Sequence, residues 1–234
     1  MTEEKIQVVV LISANAEWKW VLEYYQYPDT STSPYGRYFK TAMAGRNVVF
    51  FQGGWGKISA AAGTQYAIDT WQPSMIVNLG TCGGLAGKTR VGEIILVERT
   101  LVYDIYERMG DPAEAIAHYT TYLDLSYLSE PYPQAVRKGL LVSADQDIDP
   151  DLVHKLVDDY HAAAADWESG AIAWTAQHNE VPCLILRGVS DLVDPFGGEI
   201  YESDVFQDRA GAVMTPMLKA LPNWVRCAFW GLKE

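Results

Sequence analysis

The chain has 234 residues, 49% hydrophobic and 21% charged, a globular composition long enough for one sizeable core. Its formal net charge of −12 repels nucleic-acid phosphates and anionic membranes, so neither is an expected partner and a small neutral or cationic molecule is compatible. Three scattered cysteines (Cys82, Cys183, Cys227), an acidic start unlike a signal peptide and no apolar run of membrane-spanning length point to a cytoplasmic protein without a disulfide framework.

Val8 to Ile12 is a continuous, mostly β-branched apolar run, the pattern of a buried parallel strand. A helix is expected from about Ala16 to Tyr25, with Trp18, Tyr24 and Tyr25 as core, and a turn-rich stretch from Pro28 to Tyr35 follows. Arg37 to Ala42 and Asn47 to Gln52 read as a hairpin, and a small-residue helix runs from Ile58 to about Trp71, where Pro73 stops it. Met75 to Leu79 reads as a buried strand closing on a sharp turn at Gly80-Thr81-Cys82-Gly83-Gly84, and Glu93 to Tyr103 as a long strand. Loops and short elements are expected up to Pro133, and a short strand at Leu140 to Ser143. Asp149-Pro150 supplies a cap and a first-turn proline for a helix to Tyr160. A short strand to Asp166-Trp167, a helix from Glu168 to His178, a strand from Val181 to Val189 closing on Ser190-Asp191, and a helix from Ser203 to Leu221 complete the chain. Strands alternating with helices predict an α/β fold: one domain over 1–234, three layers α/β/α, with a mixed, largely parallel central sheet.

Ligands of such sheets sit beyond the carboxyl ends of the strands. That rule selects Ser13 to Glu17, Gly80 to Gly84, Asp166 to Glu168 and Ser190-Asp191. Glu17 fits either a cleft carboxylate or an ordinary first-turn glutamate favoured by the helix dipole. The Gly80 to Gly84 run offers backbone N–H groups and the Thr81 hydroxyl, or is a plain turn. Gly53-Gly54-Trp55-Gly56-Lys57 lacks the spacing of a phosphate loop. His118, His154, His161 and His178 form no ligand pair, so no metal or other cofactor is expected, and no Gly-x-Ser-x-Gly elbow is present. Trp224, Phe229 and Trp230 read as packing or subunit contact.

Three stretches together resemble the methylthioadenosine/S-adenosylhomocysteine nucleosidases of the nucleoside phosphorylase superfamily. They are Gly54-Trp55-Gly56-Lys57-Ile58-Ser59-Ala60-Ala61 (Gly-Ile-Gly-Lys-x-x-Ala-Ala in the family), Asn78-Leu79-Gly80-Thr81-Cys82-Gly83-Gly84 with Val91-Gly92-Glu93, and Asp166-Trp167-Glu168-Ser169-Gly170-Ala171-Ile172-Ala173 with Arg187-Gly188-Val189-Ser190-Asp191. The resemblance covers about residues 6 to 221. It implies a hydrolase that releases a purine base from a nucleoside. In that reading Asp191 donates a proton to purine N7, Glu168 holds the ribose 2′- and 3′-hydroxyls, and Glu17 activates water beside Arg187 and Thr81. Ile148 lies in the segment that reads the adenine edge, and Trp167, Cys82, Gly83, Asp147, Ser190 and Tyr201 complete the expected binding set. Family members form homodimers in which the partner helps cover the 5′ substituent, so a homodimer is expected.

The sequence departs from the family at the pocket lining. Trp167 replaces a Met, Asp147 falls where an aromatic residue commonly stacks on the base, Tyr103-Asp104 replaces His-Asp, and Ala14 replaces a Met. Asp147 either accepts from an exocyclic amine, marks a different base, or faces solvent on a shifted loop. The competing functions are a phosphorolytic enzyme of the same fold, a futalosine-type hydrolase, and a non-catalytic nucleoside-binding protein. Glu17 stands where the phosphorylases carry Gly and Arg; a carboxylate there repels phosphate and suits water.

Overall fold

The computed structural model describes residues 5–199 and 203–232. Tyr201, expected in the binding set, lies outside the described residues. In chain order the elements are β1 (Val8–Ile12), α1 (Asn15–Tyr24), β2 (Ser31–Ser33), β3 (Gly36–Met43), β4 (Arg46–Gln52), α2 (Gly56–Trp71), β5 (Met75–Leu85), β6 (Ile94–Val102), α3 (Pro112–His118), β7 (Thr120–Tyr122), β8 (Arg137–Ser143), β9 (Ala164–Asp166), α4 (Ser169–His178), β10 (Cys183–Asp194), β11 (Gly197–Gly198) and α5 (Ser203–Gly231).

These strands form one mixed sheet in the order β11-β10-β6-β8-β9-β5-β1-β4-β3-β2, with β7 on β6 and a further pairing of β10 with β5. At its centre β1 runs parallel to both β4 and β5, and β10 parallel to β5. Side chains of a strand alternate between faces, and β1 divides its apolar residues accordingly. Val8, Val10 and Ile12 pack with Trp18, Val21 and the α5 residues Met214, Met217 and Leu221. Val9 and Leu11 pack with Ala60 and Ala67 of α2 and Ile172 and Ala176 of α4. Helices therefore cover both faces, the expected three-layer arrangement. Small residues let α2 lie close: a Cβ on Gly63 would sit 2.4 Å from the Gly53 carbonyl oxygen.

Several elements differ from their sequence-based expectation. The glycine run does not end β5, which continues through it to Leu85 because Gly83 and Gly84 pair with both β9 and β10. Likewise β10 passes through Ser190-Asp191 to Asp194. Residues 150–160 form a 3₁₀ turn (Pro150–Leu152) and a single π-turn (Lys155–Asp159) rather than one α-helix. The Tyr160 N–H bonds the Lys155 carbonyl, and Val153 and Leu156 are buried together. The last helix runs ten residues past Leu221, through Pro216 and Pro222. Its stripe of Val213, Met217, Leu221, Trp224, Val225 and Ala228, all buried, outweighs the hydrogen bonds that the prolines remove. Trp18 is core and Tyr25 packs on Phe39 and Phe50, but Tyr24 is exposed. Trp224 is buried, Phe229 packs at the core's edge and Trp230 is exposed.

Candidate active site

The strand ends selected from the sequence converge on one cleft of about 680 Å³. Glu17, Thr81, Cys82, Gly83, Asp147, Ile148, Trp167, Glu168, Ser190 and Asp191 all line it. Arg187 does not. It is fully buried behind the carboxylates, with Nη1 3.7 Å from Oε1 of Glu17.

That guanidinium organises the floor. Arg187 Nε donates to Ser169 Oγ at 3.0 Å, Nη2 to Asn78 Oδ1 at 2.9 Å and Nη1 to the Thr81 carbonyl at 3.2 Å. Nη2 also lies 3.0 Å from Asp166 Oδ2 and 3.6 Å from Glu168 Oε2, and Nη1 3.7 Å from Glu17 Oε1. A buried cation is tolerated when its donors are satisfied and its charge is compensated, and this one meets both conditions. The approach requires glycine at position 80: a Cβ there would stand 2.1 Å from Arg187 Nη1 and 2.7 Å from Glu17 Oε1. Asn78 and Ser169 were not singled out from the sequence as site residues. A polar Asn inside an otherwise apolar strand was the available signal. Asp166, which the strand-end rule does select, joins them on the floor and accepts from Ser143 Oγ at 2.6 Å.

Glu17 satisfies both readings of its position. One carboxylate oxygen accepts from the Ala14 N–H at 3.0 Å, an ordinary helix-start contact. The other accepts from the Thr81 N–H at 2.6 Å and the Thr81 hydroxyl at 2.9 Å. Glu168 Oε1 accepts from the Gly56 N–H at 3.1 Å, which ties the α2 start to the α4 start. Burial pushes the Glu168 carboxyl up to about 8; Arg187 opposes the rise, and Asp166 and Glu17 add to it.

Asp191 owes its position to an irregularity in β10, whose register against β5 shifts between Val189 and Asp191. Such a bulge breaks side-chain alternation, and both Ser190 and Asp191 reach the cleft. The Ser190 hydroxyl donates to Asp191 Oδ1 at 2.6 Å. Burial holds the Asp191 carboxyl above its ordinary range, aided by the charges of Glu199 and Asp147 and opposed by the Ser190 hydroxyl and Arg209. Ile148 packs over the strand: a Cβ on Gly83 would meet its Cδ1 at 2.8 Å. Asp147 is exposed yet lines the cleft. Cys82 is buried at the floor, and burial pushes its thiol well up.

Trp55, which the sequence offers as part of a family motif without a site role, also lines the cleft. Among the described residues no Lys, Arg or His side chain lines the cleft, whereas Glu17, Asp147, Asp166, Glu168 and Asp191 all do. No group of three or more His, Cys, Asp or Glu side chains placed to hold a metal occurs among the described residues.

Known proteins resemble this chain along most of its length. The phosphorylase superfamily profile matches residues 7–221. A 5′-methylthioadenosine/S-adenosylhomocysteine nucleosidase of Listeria welshimeri is 31% identical over 176 residues, covering 68% of this chain and 74% of the relative. The crystal structure of the Neisseria meningitidis nucleosidase of the same name, in complex with methylthio-immucillin-A, superposes with a TM-score of 0.75 at 22% identity, covering 94% and 99% of the two chains. A futalosine hydrolase mutant of Helicobacter pylori superposes at 0.77 with 17% identity, covering 94% and 100%. At those identities the two structures speak for the fold alone.

Proposed function

The chain belongs to the phosphorylase superfamily and, within it, to the 5′-methylthioadenosine/S-adenosylhomocysteine nucleosidases, and from that premise we propose how its cleft performs the reaction. The chain is an N-glycosyl hydrolase that releases the base of an adenine-type nucleoside. As the base departs, positive charge grows at the anomeric carbon and negative charge on the purine. Asp191 answers the second demand: burial holds its carboxyl above the ordinary range, which favours the protonated form that donates to N7. Glu168, anchored by Gly56, accepts from the ribose hydroxyls.

Glu17 holds the water. A carboxylate offers about four acceptor sites, and the Ala14 N–H, Thr81 N–H and Thr81 hydroxyl occupy three. The remaining site accepts from a water aimed at the anomeric carbon. Arg187 is a positioning residue that holds Glu17, Asp166 and Glu168 at fixed separations.

One observation carries the choice of water over phosphate: the cleft is lined by five acidic side chains and, among the described residues, by no cationic one. A phosphate dianion would enter without a counter-charge. Free base should therefore appear from adenine nucleosides in orthophosphate-free buffer at the rate seen with orthophosphate present; strict dependence on orthophosphate would overturn the hydrolytic reading. The same assay over a nucleoside panel identifies the base and separates catalysis from mere binding. We further place the protein in the cytoplasm as a homodimer, in which a second copy covers the exposed Ile58, Tyr106 and Met109.

A further inference from the structure

Helix α2 begins without a cap of its own. Trp55, just before it, makes no side-chain capping bond, and no acidic residue stands in its first turn. The leading N–H groups of a helix have no partner within it, and here carboxylates from two other segments take them. Glu168 Oε1 accepts from the Gly56 N–H at 3.1 Å, and Asp145 Oδ1 from the Lys57 N–H at 2.7 Å. Position 56 favours glycine, because its φ is +82° and a Cβ would come within 3.1 Å of Asp145 Oδ1.

Asp145 is held in its turn. Its N–H donates to Asp104 Oδ2 at 3.0 Å, while the Lys57 ammonium pairs with Asp104 Oδ1 and lies 3.7 Å from Asp145 Oδ2. The three residues close a ring: Lys57 backbone to Asp145 side chain, Asp145 backbone to Asp104 side chain, Asp104 side chain to Lys57 ammonium. Asp104 follows β6 by two residues and Asp145 follows β8 by two, so the ring ties the start of α2 to two strand ends. The Lys57 and Asp104 side chains are only 19% and 21% exposed, which shields their pairing from salt. None of the three lines the cleft, yet the ring bears on it. Glu168 reaches the Gly56 N–H with one oxygen while the other lies 3.6 Å from Arg187. Its carboxyl is thus set between the fixed floor and a helix start that the ring fixes.

We propose that Asp145, backed by Lys57 and Asp104, is a positioning residue for sugar binding: by capping α2 it keeps the Gly56 N–H in place and so aims Glu168 at the ribose hydroxyls. This rests on the ribose-holding role given to Glu168 above. The test is calorimetric binding of a carbon-linked, non-hydrolysable analogue of 5′-methylthioadenosine, with and without its 2′-hydroxyl. The parent should bind the hydroxylated form about tenfold more tightly, and Glu168→Ala should bring that preference near one. Asp145→Ala should lower the preference about fivefold, the factor that one lost helix cap corresponds to. Asp145→Asn keeps an acceptor for the Lys57 N–H and should retain most of it. Asp104→Ala opens the ring in another segment and should lower the preference independently. General loosening of the cleft, the neighbouring Gln146 to Ile148 included, weakens both forms alike and leaves the preference unmoved. A preference unmoved in Asp145→Ala and Asp104→Ala, or lost as fully in Asp145→Asn as in Asp145→Ala, overturns the capping role and leaves Glu168 at the ribose. A parent without the preference, or a preference that survives Glu168→Ala, overturns both.

Discussion

The floor of the cleft and its wall are built on opposite plans. On the floor, Arg187, Asn78, Ser169, Asp166 and Glu17 are buried and cross-linked by hydrogen bonds from four separate segments. On the wall, Trp55 and Asp147 are exposed, and among the described residues Trp167 is the one aromatic ring that the Trp55 ring meets. A buried polar network is costly unless every member is satisfied, so no floor residue can change alone. A wall residue can change at little cost to the fold. Four of the departures from the family pattern, Ala14, Trp55, Asp147 and Trp167, line the cleft, whereas Tyr103-Asp104 does not. The chemistry is fixed by the floor together with Asp191, and selection is left to the wall.

The largest expected effect tests whether Asp191 belongs with the chemical half. Asp191→Asn removes the donated proton while keeping the shape, and should cost about a thousandfold in kcat. Nucleoside should still bind, as measured by calorimetry on the unreacted complex. Turnover within a few-fold of the parent would move the general acid elsewhere and erase the distinction between the two plans.

The next effect is on stability. Arg187→Met keeps much of the volume but leaves Asp166, Glu168 and Glu17 without their cation. Breaking a buried ion network by removing one partner costs about 3–5 kcal/mol, to be read as a lower urea midpoint. A loss of less than about 1 kcal/mol would show that the carboxylates do not depend on Arg187, and the floor would then resemble the wall.

Much of this was legible in the sequence, for identifiable reasons. Buried parallel strands are continuous apolar runs, so β1, β6 and the first halves of β5 and β10 could be read directly, and the strand-end rule located the carboxylates. What escaped were features set by tertiary contact. Glycines at 83 and 84 carry no side chain to display alternation, so their pairing with β9 and β10 was invisible and the run read as a turn. The expected helix passes Pro216 but stops at Leu221, ten residues short of Gly231, because the apolar stripe that carries it past Pro222 matters only against the sheet. The aromatic wall was missed in part because Trp55 and Trp167, 112 residues apart in number like Gly56 and Glu168, meet only in the folded chain.

The smallest expected effect lies where wall and floor touch. Asp191 must carry its proton to act, so activity is present below its pKa and is lost as pH rises through it. The negative charge of Asp147 is one contributor, among the weakest, to holding that pKa up. Asp147→Asn removes the charge, lowers the Asp191 pKa and should move the alkaline limb of the kcat profile toward acid by less than about one pH unit, because a solvent-exposed charge is screened. The sign is fixed by the charge removed: a shift toward alkali would mean that Asp147 does not face Asp191 in the working enzyme. No shift, with a changed preference between adenine and hypoxanthine nucleosides, would make Asp147 a pure reader of the base. A loss in kcat as large as that of Asp191→Asn would place Asp147 in the chemical half, and the division between a fixed floor and a replaceable wall would fail at that position.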